Sequence, residues 1–228
     1  MASYSNSFLE RIPPVTRSLL IINVIMFVAT QINEYLMNDD FMVRTFAMFY
    51  PAHPLFRWWQ PLTHMFMHGG WWHIFFNMYT LVMFGMVVER ALGTKKFLIL
   101  YFVTGLGAVA LHTGVEWLDI HRLAASASPT AQADILDILR SPMVGASGAI
   151  YGVLVAFAML YPEARMTLIF PPVTLDAKWM VIVFVGIELL TGITGTQVHI
   201  AHFAHLGGAL FGFLLVWYWR KRGELWRR

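Results

Sequence analysis

The stretch Gly145-Ala146-Ser147-Gly148-Ala149-Ile150-Tyr151-Gly152 opens an apolar run that continues to residue 161. Gly148 and Gly152 are four residues apart and therefore share one helix face. Such a GxxxG face lets the backbones of two membrane helices approach closely, and Gly208 and Gly212 form a second one in the last apolar run. Ser147 is the polar exception at the beginning of its run. The sequence therefore predicts two closely packed membrane helices with a serine beside their contact.

Apolar runs of this kind recur along the whole chain. A membrane helix needs about 20 mostly apolar residues, with a range of about 17 to 25. Six segments are candidates, with approximate bounds 15–32, 71–88, 97–113, 147–161, 179–194 and 201–219. We therefore expect an all-α membrane protein, a bundle of six transmembrane helices that forms a single domain over residues 1–228.

The composition excludes several classes of protein. The chain has 228 residues, of which 58% are hydrophobic and 13% charged, and its mean hydropathy is +0.60. An average soluble domain is about half apolar and about a quarter charged. The absence of cysteine excludes disulfides, zinc thiolates, iron–sulfur clusters and thiol catalysis. We expect no metal and no cofactor.

The basic residues lie in short clusters between apolar runs, which is typical of membrane orientation and not of a nucleic-acid-binding face. With six helices and both termini in the cytoplasm, 12 of the 16 Lys and Arg residues fall inside and 4 outside. Those inside are Arg11, Arg17, Arg90, Lys95, Lys96, Arg165, Lys178, Arg220, Lys221, Arg222, Arg227 and Arg228, and those outside are Arg44, Arg57, Arg122 and Arg140. The six-helix form without an extra helix or a transit peptide suggests the cytoplasmic membrane of a bacterium.

Two of the outer loops are long. The first, over residues 33–70, contains His53-Pro54-Leu55-Phe56-Arg57-Trp58-Trp59, and arginine beside tryptophan is typical of the bilayer interface. We therefore expect this loop to be embedded in the outer leaflet. The second loop, over residues 114–144, should contain a short amphipathic helix that Ser128 caps, with Pro129 in its first turn.

Polar residues inside membrane helices are costly and are candidates for function. His73 and Asn77 share one face of the second helix, Ser147 opens the fourth, and His202 and His205 open the sixth. These three helices all run from outside to inside, so the polar residues lie at a similar depth near the outer end. A serine hydroxyl, a histidine base and two donors for an oxyanion together predict nucleophilic catalysis.

The sequence resembles the rhomboid family of intramembrane serine proteases over residues 15–219. The resemblance rests on His73-Ile74-Phe75-Phe76-Asn77, on Gly145-Ala146-Ser147-Gly148 and on Ala201-His202-Phe203-Ala204-His205-Leu206-Gly207-Gly208.

The resemblance implies a Ser147 nucleophile and a His205 base, in a dyad without an aspartate, with His73 and Asn77 in the oxyanion hole. It further implies that Tyr151 stacks on the catalytic histidine and that Glu89 belongs to a structural turn at the cytoplasmic end of the second helix. Gly145, Gly148 and Gly208 would support the site. Transmembrane proteins would be the substrates and the lipid bilayer the environment. Where many members have Trp-Arg in the first outer loop, this chain has Trp59-Gln60.

Other interpretations stay open for several residues. His202 is close to the face of His205, but His205 directly precedes Leu206-Gly207-Gly208, so we take it as the base and His202 as interfacial. His64 and His68 have the spacing of a metal pair, yet hydrogen bonds that hold the outer loop are the favoured role. Glu188 should face the bundle and be hydrogen-bonded, with gating as a weaker alternative. His53, His112, His121 and His199 are interpreted as loop or interface residues.

Two other functions compete with proteolysis. An inactive relative that binds membrane proteins should have lost Ser147 or His205, and both are present. A haem-binding or haem-transporting bundle could use His64, His68, His73 and His202, if they faced one another across helices. Other intramembrane proteases are disfavoured, since there is no H-E-x-x-H motif and every aspartate is predicted in a loop.

Overall fold

The computed structural model describes residues 8–168, 172–194 and 202–225. Its helices are α1 (Phe8–Arg11), α2 (Pro14–Gln31), α3 (Phe41–Phe46), α4 (Gln60–Thr63), α5 (Trp71–Thr80), α6 (Met86–Leu92), α7 (Thr94–Ala124), α8 (Ala131–Arg140), α9 (Ser147–Leu160), α10 (Ala177–Thr194) and α11 (His202–Lys221). Wider π-helical turns, Ile32–Leu36 and Leu81–Gly85, continue α2 and join α5 to α6, and a 3₁₀ turn, His64–Phe66, follows α4. The strands β1 (Arg165–Thr167) and β2 (Thr174–Asp176) pair antiparallel, with Arg165 opposite Asp176. The predictions for His199, Ala201, Arg227 and Arg228 lie outside the described residues.

Long apolar helices dominate the described part of the chain. Four helical segments there are long and apolar enough to cross a membrane, and these are Pro14–Leu36, Trp71–Leu92, Thr94–Ala124 and Ala177–Thr194. The chain is therefore a mostly helical integral membrane protein, as the composition predicts. Helices α9 and α11 occupy the other two predicted segments, and α9 is a shorter apolar helix.

The third helix is longer than predicted. Helix α7 continues to Ala124, so the loop expected from residue 114 is wrong over its first part. Polar pairs one turn apart support this extension: His112 lies 3.3 Å from Glu116, and Arg122 lies 3.6 Å from Asp119. Asp119, predicted in a loop, is therefore helical. The prediction ended the helix where the apolar run ended, although helix formation itself requires no apolar residues.

The predicted amphipathic helix in the second outer loop is present as α8, but its start differs. Thr130, and not Ser128, is the residue that precedes the helix, and its hydroxyl donates to the Asp134 carboxylate at 2.9 Å. Ser128 lies in the preceding turn, where its carbonyl accepts a hydrogen bond from the backbone N–H of Ala131. The Ser128 cap is therefore wrong, because a turn that contains Pro129 comes before the helix.

Helices α7, α9 and α11 pack together at the centre of the structure through small residues. A methyl group on Gly208 would overlap the carbonyl oxygen of Gly148, and one on Gly212 would lie 2.7 Å from the Cα of Gly152. On the other side of α11, a methyl group on Gly207 would lie 2.7 Å from the carbonyl oxygen of Gly107. The backbones therefore touch, as the two GxxxG faces predict.

Glu89 of α6 links the first predicted membrane span, which begins with α2, to the second, which ends with α6. Its buried carboxylate accepts hydrogen bonds from the backbone N–H groups of Val15 and Thr16 at 3.0 and 2.7 Å, and from the Thr16 hydroxyl at 2.8 Å. The first N–H groups of a helix have no partner within it, and a negative charge there is favourable. The carboxylate thus caps α2, which explains why an acidic residue occurs in the Glu89-Arg90-Ala91-Leu92-Gly93 turn.

Gln60 holds the first outer loop together. Its buried side chain accepts hydrogen bonds from the backbone N–H groups of Phe49 and Arg57, and donates to the carbonyls of Arg44 and Leu55. The position at which this chain departs from the Trp-Arg pattern therefore still anchors the loop, through an amide that both donates and accepts.

A Gly208→Ala variant tests the central contact. The added methyl group must separate α11 from α9, and overpacking of this kind costs about 1–3 kcal/mol. Thermal unfolding in detergent should show a lower transition temperature than for the wild type. Gly114→Ala is the matched control, since a methyl group at Gly114 in α7 meets no atom within 4 Å. Equal transition temperatures for the two variants would contradict the proposed importance of the contact.

Candidate active site

Ser147 lies at the first position of α9, after a turn that only glycine adopts easily. Gly145 has φ +130°, a backbone conformation that disfavours a side chain, and a methyl group there would lie 2.8 Å from Nε2 of His73. The glycine therefore allows the chain to enter α9 directly beside the His73 ring. This turn brings the Ser147 hydroxyl to the wall of a cavity.

His205 faces Ser147 from the first turn of α11. Its Nε2 lies 2.8 Å from the Ser147 Oγ, although the two residues are 58 positions apart in sequence. The Tyr151 ring stacks on the His205 ring with 4.5 Å between centroids and 7° between planes. Gly148 lies one residue after Ser147, and Gly208 lies three residues after His205. The contact between these two glycine backbones brings the Ser147 and His205 side chains within reach of each other.

The sequence analysis did not place Glu188 in the candidate site. Glu188 faces the bundle and is hydrogen-bonded, as expected, but two of its partners are the site residues Tyr151 and His205. Its Oε1 accepts hydrogen bonds from the Tyr151 hydroxyl at 2.6 Å and from Nδ1 of His205 at 2.8 Å. The arrangement without an aspartate that the resemblance implies therefore has a glutamate behind its histidine. A carboxylate inside an apolar helix was the available signal.

His202 is hydrogen-bonded to Glu188 and not to Ser147. Its Nδ1 lies 2.5 Å from Oε2 of Glu188, and 7% of its surface is exposed. The expected interfacial position is therefore wrong, because the carboxylate holds this ring inside the bundle. The distinction between His202 and His205 agrees with the sequence: of the two imidazoles, His205 is the one at hydrogen-bonding distance from the serine.

His73 and Asn77 line the same cavity as Ser147. The backbone N–H of Gly69 approaches Nδ1 of His73 at 3.4 Å, which leaves the Nε2 atom, the one beside Gly145, to carry the proton. The Asn77 amide nitrogen donates one of its two hydrogens to the His73 carbonyl at 2.9 Å, so the second hydrogen does not take part in that bond. Within the described residues, neither side chain is hydrogen-bonded to Ser147.

The cavity beside Ser147 has a volume of about 660 Å³. It lies between α5 and α9, with Phe184 of α10, His205 of α11 and the loop before Ser147 completing the wall. Its lining residues are Trp72, His73, Phe76, Asn77, Thr80, Pro142, Met143, Val144, Ser147, Ile150, Tyr151, Leu154, Phe184 and His205. The serine, the histidine and the two candidate donors therefore share one mostly apolar space.

His64 and His68 support the loop that precedes the site. Nδ1 of His64 donates to the Gln60 carbonyl at 3.1 Å, and the His64 carbonyl accepts from the Gly145 N–H at 3.0 Å. Burial lowers the pKa of His64 to about 4 and that of His68 to about 3, so both rings are neutral. The hydrogen-bonding prediction is confirmed for His64, whereas neither buried ring nitrogen of His68 has a hydrogen-bond partner in the described part of the chain. Over residues 8–168, 172–194 and 202–225, no three His, Cys, Asp or Glu side chains group as metal ligands.

The chain is similar to known rhomboid proteins over most of its length. The family profile described as "Rhomboid domain" matches residues 55–222. "Rhomboid-like protein 11, chloroplastic" of Arabidopsis thaliana is 30% identical over 80% of this chain and 60% of its own length. "RHOMBOID-like protein 12, mitochondrial" of the same plant is 32% identical over 86% and 55%. "Rhomboid protease AarA" of Providencia stuartii is 28% identical over 69% and 54%.

This chain thus spans a little over half of the length of these relatives. The expected location in a bacterial cytoplasmic membrane is not supported by them, because the first two are named for the chloroplast and the mitochondrion. Location in a membrane is supported by the long apolar helices.

Proposed function

This chain belongs to the rhomboid family, and we propose that it is an intramembrane serine endopeptidase that cuts transmembrane segments of other proteins near the outer membrane face. The observation that carries the proposal is the 2.8 Å contact between Nε2 of His205 and the Ser147 Oγ at the wall of the cavity. A serine hydroxyl is a weak nucleophile unless a base accepts its proton, and this distance is the one that proton transfer requires.

The proposed reaction has two halves. Nε2 of His205 takes the Ser147 hydroxyl proton while Oγ attacks the scissile carbonyl carbon. The tetrahedral intermediate then expels the amine, which takes that proton from His205, and an acyl-enzyme remains. Water attacks the acyl group with His205 again as base. The ester bond to Ser147 Oγ then breaks, the acyl fragment leaves as a carboxylic acid, and Oγ takes the proton back from His205.

The developing oxyanion needs hydrogen-bond donors that are already in place. His73, Asn77 and Ser147 line the cavity, and they offer the Nε2–H of His73, the second amide hydrogen of Asn77 and the backbone N–H of Ser147 as donors. Such donors favour the transition state because charge forms on the oxygen only there. We assign His73 and Asn77 to the oxyanion hole.

The proposal includes the six-span arrangement with both termini on the cytoplasmic side. The excess of Lys and Arg in the predicted inner segments supports this orientation. In it, α5, α9 and α11 all begin at the outer face, so Ser147 and His205 lie in the outer half of the membrane. The cavity beside them would admit water from that side.

Ser147→Ala and His205→Ala should each abolish cleavage of a single-span substrate by the purified protein, because each removes one half of the nucleophilic unit. A fluorophosphonate probe should label Ser147 in the wild type but not in His205→Ala. His202→Ala is the matched control, since it removes a buried histidine of the same helix turn, and it should retain measurable labelling. Cleavage by well-purified Ser147→Ala would contradict the proposed function, and labelling of His205→Ala but not His202→Ala would reverse the choice of base.

His73→Ala and Asn77→Ala should lower kcat with little change in KM. The loss of one oxyanion donor typically lowers kcat by about 10²–10³-fold, because the contact forms mainly in the transition state. Steady-state cleavage of a fluorogenic transmembrane peptide measures both constants. Phe75→Leu is the control on the same helix, since this exposed side chain does not line the cavity. A wild-type kcat in both variants would remove these residues from the oxyanion hole.

The substrate should be a transmembrane segment whose outer end unwinds easily. A helix hides its carbonyls in backbone hydrogen bonds, which are costly to break in lipid. Gly, Pro or small polar residues near the outer end should therefore favour cleavage, and their replacement by Leu should slow it. Mass spectrometry of the products should place the cut near the outer membrane boundary. Cuts at the cytoplasmic end, or faster cleavage of the all-Leu segment, would contradict the orientation and the unwinding requirement.

A further inference from the structure

We infer that Glu188 is a positioning residue for the proposed reaction: it holds His205 in the tautomer and orientation in which Nε2 can accept the Ser147 proton. The inference rests on the proposed function and adds Glu188 to the proposed pair of Ser147 and His205. Two hydrogen bonds link the three side chains: one of 2.8 Å between Ser147 Oγ and Nε2 of His205, and one of 2.8 Å between Nδ1 of His205 and Oε1 of Glu188.

The tautomer follows from the chemistry of the partners. A neutral imidazole has one N–H donor and one acceptor nitrogen, and a carboxylate only accepts. With Oε1 of Glu188 against Nδ1, the proton of neutral His205 lies on Nδ1, and Nε2 is left as the acceptor that faces Ser147. In the opposite tautomer Nε2 would carry the proton, and the serine would have no base.

The surroundings of Glu188 favour a charged carboxylate. Its side chain is only 12% exposed, and three donors from two other helices converge on it: the Tyr151 hydroxyl of α9 and the His202 and His205 rings of α11. An unpartnered charge would be costly at this depth, whereas this one is fully hydrogen-bonded. When His205 takes the serine proton, the imidazolium forms next to a carboxylate that already bonds it, which stabilises the transition state.

The two oxygens of Glu188 separate a structural role from a positioning one. Oε2 bonds His202, which is not hydrogen-bonded to Ser147. Oε1 bonds His205 and also the hydroxyl of Tyr151, whose ring stacks on His205. If Glu188 only tied α10 to α11, the loss of either histidine contact would act through stability alone. If it positions His205, the loss of the Oε1 contact must act on the chemical step.

Glu188→Gln tests the inference because it keeps the shape of the side chain and removes the charge. An amide can donate to Nδ1 as well as accept from it, so the wrong tautomer of His205 becomes populated. We expect kcat to fall at least about 100-fold, with KM within about twofold of the wild type, and fluorophosphonate labelling of Ser147 to slow in parallel. His202→Ala is the control: it removes the Oε2 contact and should lower kcat by less than about tenfold.

A wild-type kcat in Glu188→Gln, with the wild type active, would overturn the inference and leave the proposed function intact. An equal loss in His202→Ala, matched by lower transition temperatures in both, would assign Glu188 a structural role. A wild type that neither cleaves nor takes the probe would contradict the proposed function itself. If Glu188→Gln does not fold, ¹⁵N NMR of histidine-labelled wild type decides: a His205 proton on Nδ1 supports the inference, and one on Nε2 overturns it. The His205→Ala spectrum identifies the signal.

Discussion

A backbone contact between α9 and α11, where Gly208 meets Gly148 and Gly212 meets Gly152, sets the distance between the two halves of the candidate site. Ser147 directly precedes Gly148 and His205 lies three residues before Gly208, so their side chains come within 2.8 Å only because no side chain separates the helices. Helix α7 packs against another side of α11, where Gly207 meets Gly107. In a membrane, where the hydrophobic effect does not drive helices together, such close packing is a main source of association.

The polar residues of the interior follow a second rule, that a buried charge must be fully partnered. Glu89 and Glu188 are both carboxylates in apolar helices, and each accepts three close hydrogen bonds. Glu89 bonds the backbone N–H groups that begin α2, which joins the first helix to the second. Glu188 bonds side chains instead, and two of them belong to the candidate site. The same chemistry thus serves a helix cap in one place and the candidate site in the other.

The first outer loop contributes to the site through the chain that precedes Ser147. Met48 and Met143 exchange backbone hydrogen bonds at 3.0 and 2.8 Å, and the His64 carbonyl accepts from the N–H of Gly145. Gln60 supports this arrangement from within the loop, where its amide satisfies four backbone groups. The loop therefore fixes the turn at Gly145 from one side while the packing of α9 fixes it from the other.

Much of the fold and of the candidate site could be predicted from the sequence. Apolar runs of membrane length determine where the helices lie, because lipid forces the backbone to satisfy its own hydrogen bonds. The spacing of glycines predicts the central contact, and polar residues inside apolar runs single out Ser147, His205, His73 and Asn77. The ends of the apolar runs were less informative about where helices end. Helix α7 continues past its apolar run because polar side chains one turn apart still favour a helix.

Only the tertiary structure decided which side chains meet. Nothing in the spacing of Glu188 and His205 predicts that Oε1 of one faces Nδ1 of the other, because the rotation of α10 about its axis depends on how it packs against α11. For the same reason the sequence could not place His202 on the other oxygen of that carboxylate, or give the four contacts of Gln60. Local pattern determines the helices and their small-residue faces, whereas contacts between distant side chains follow from the rotation and approach of whole helices.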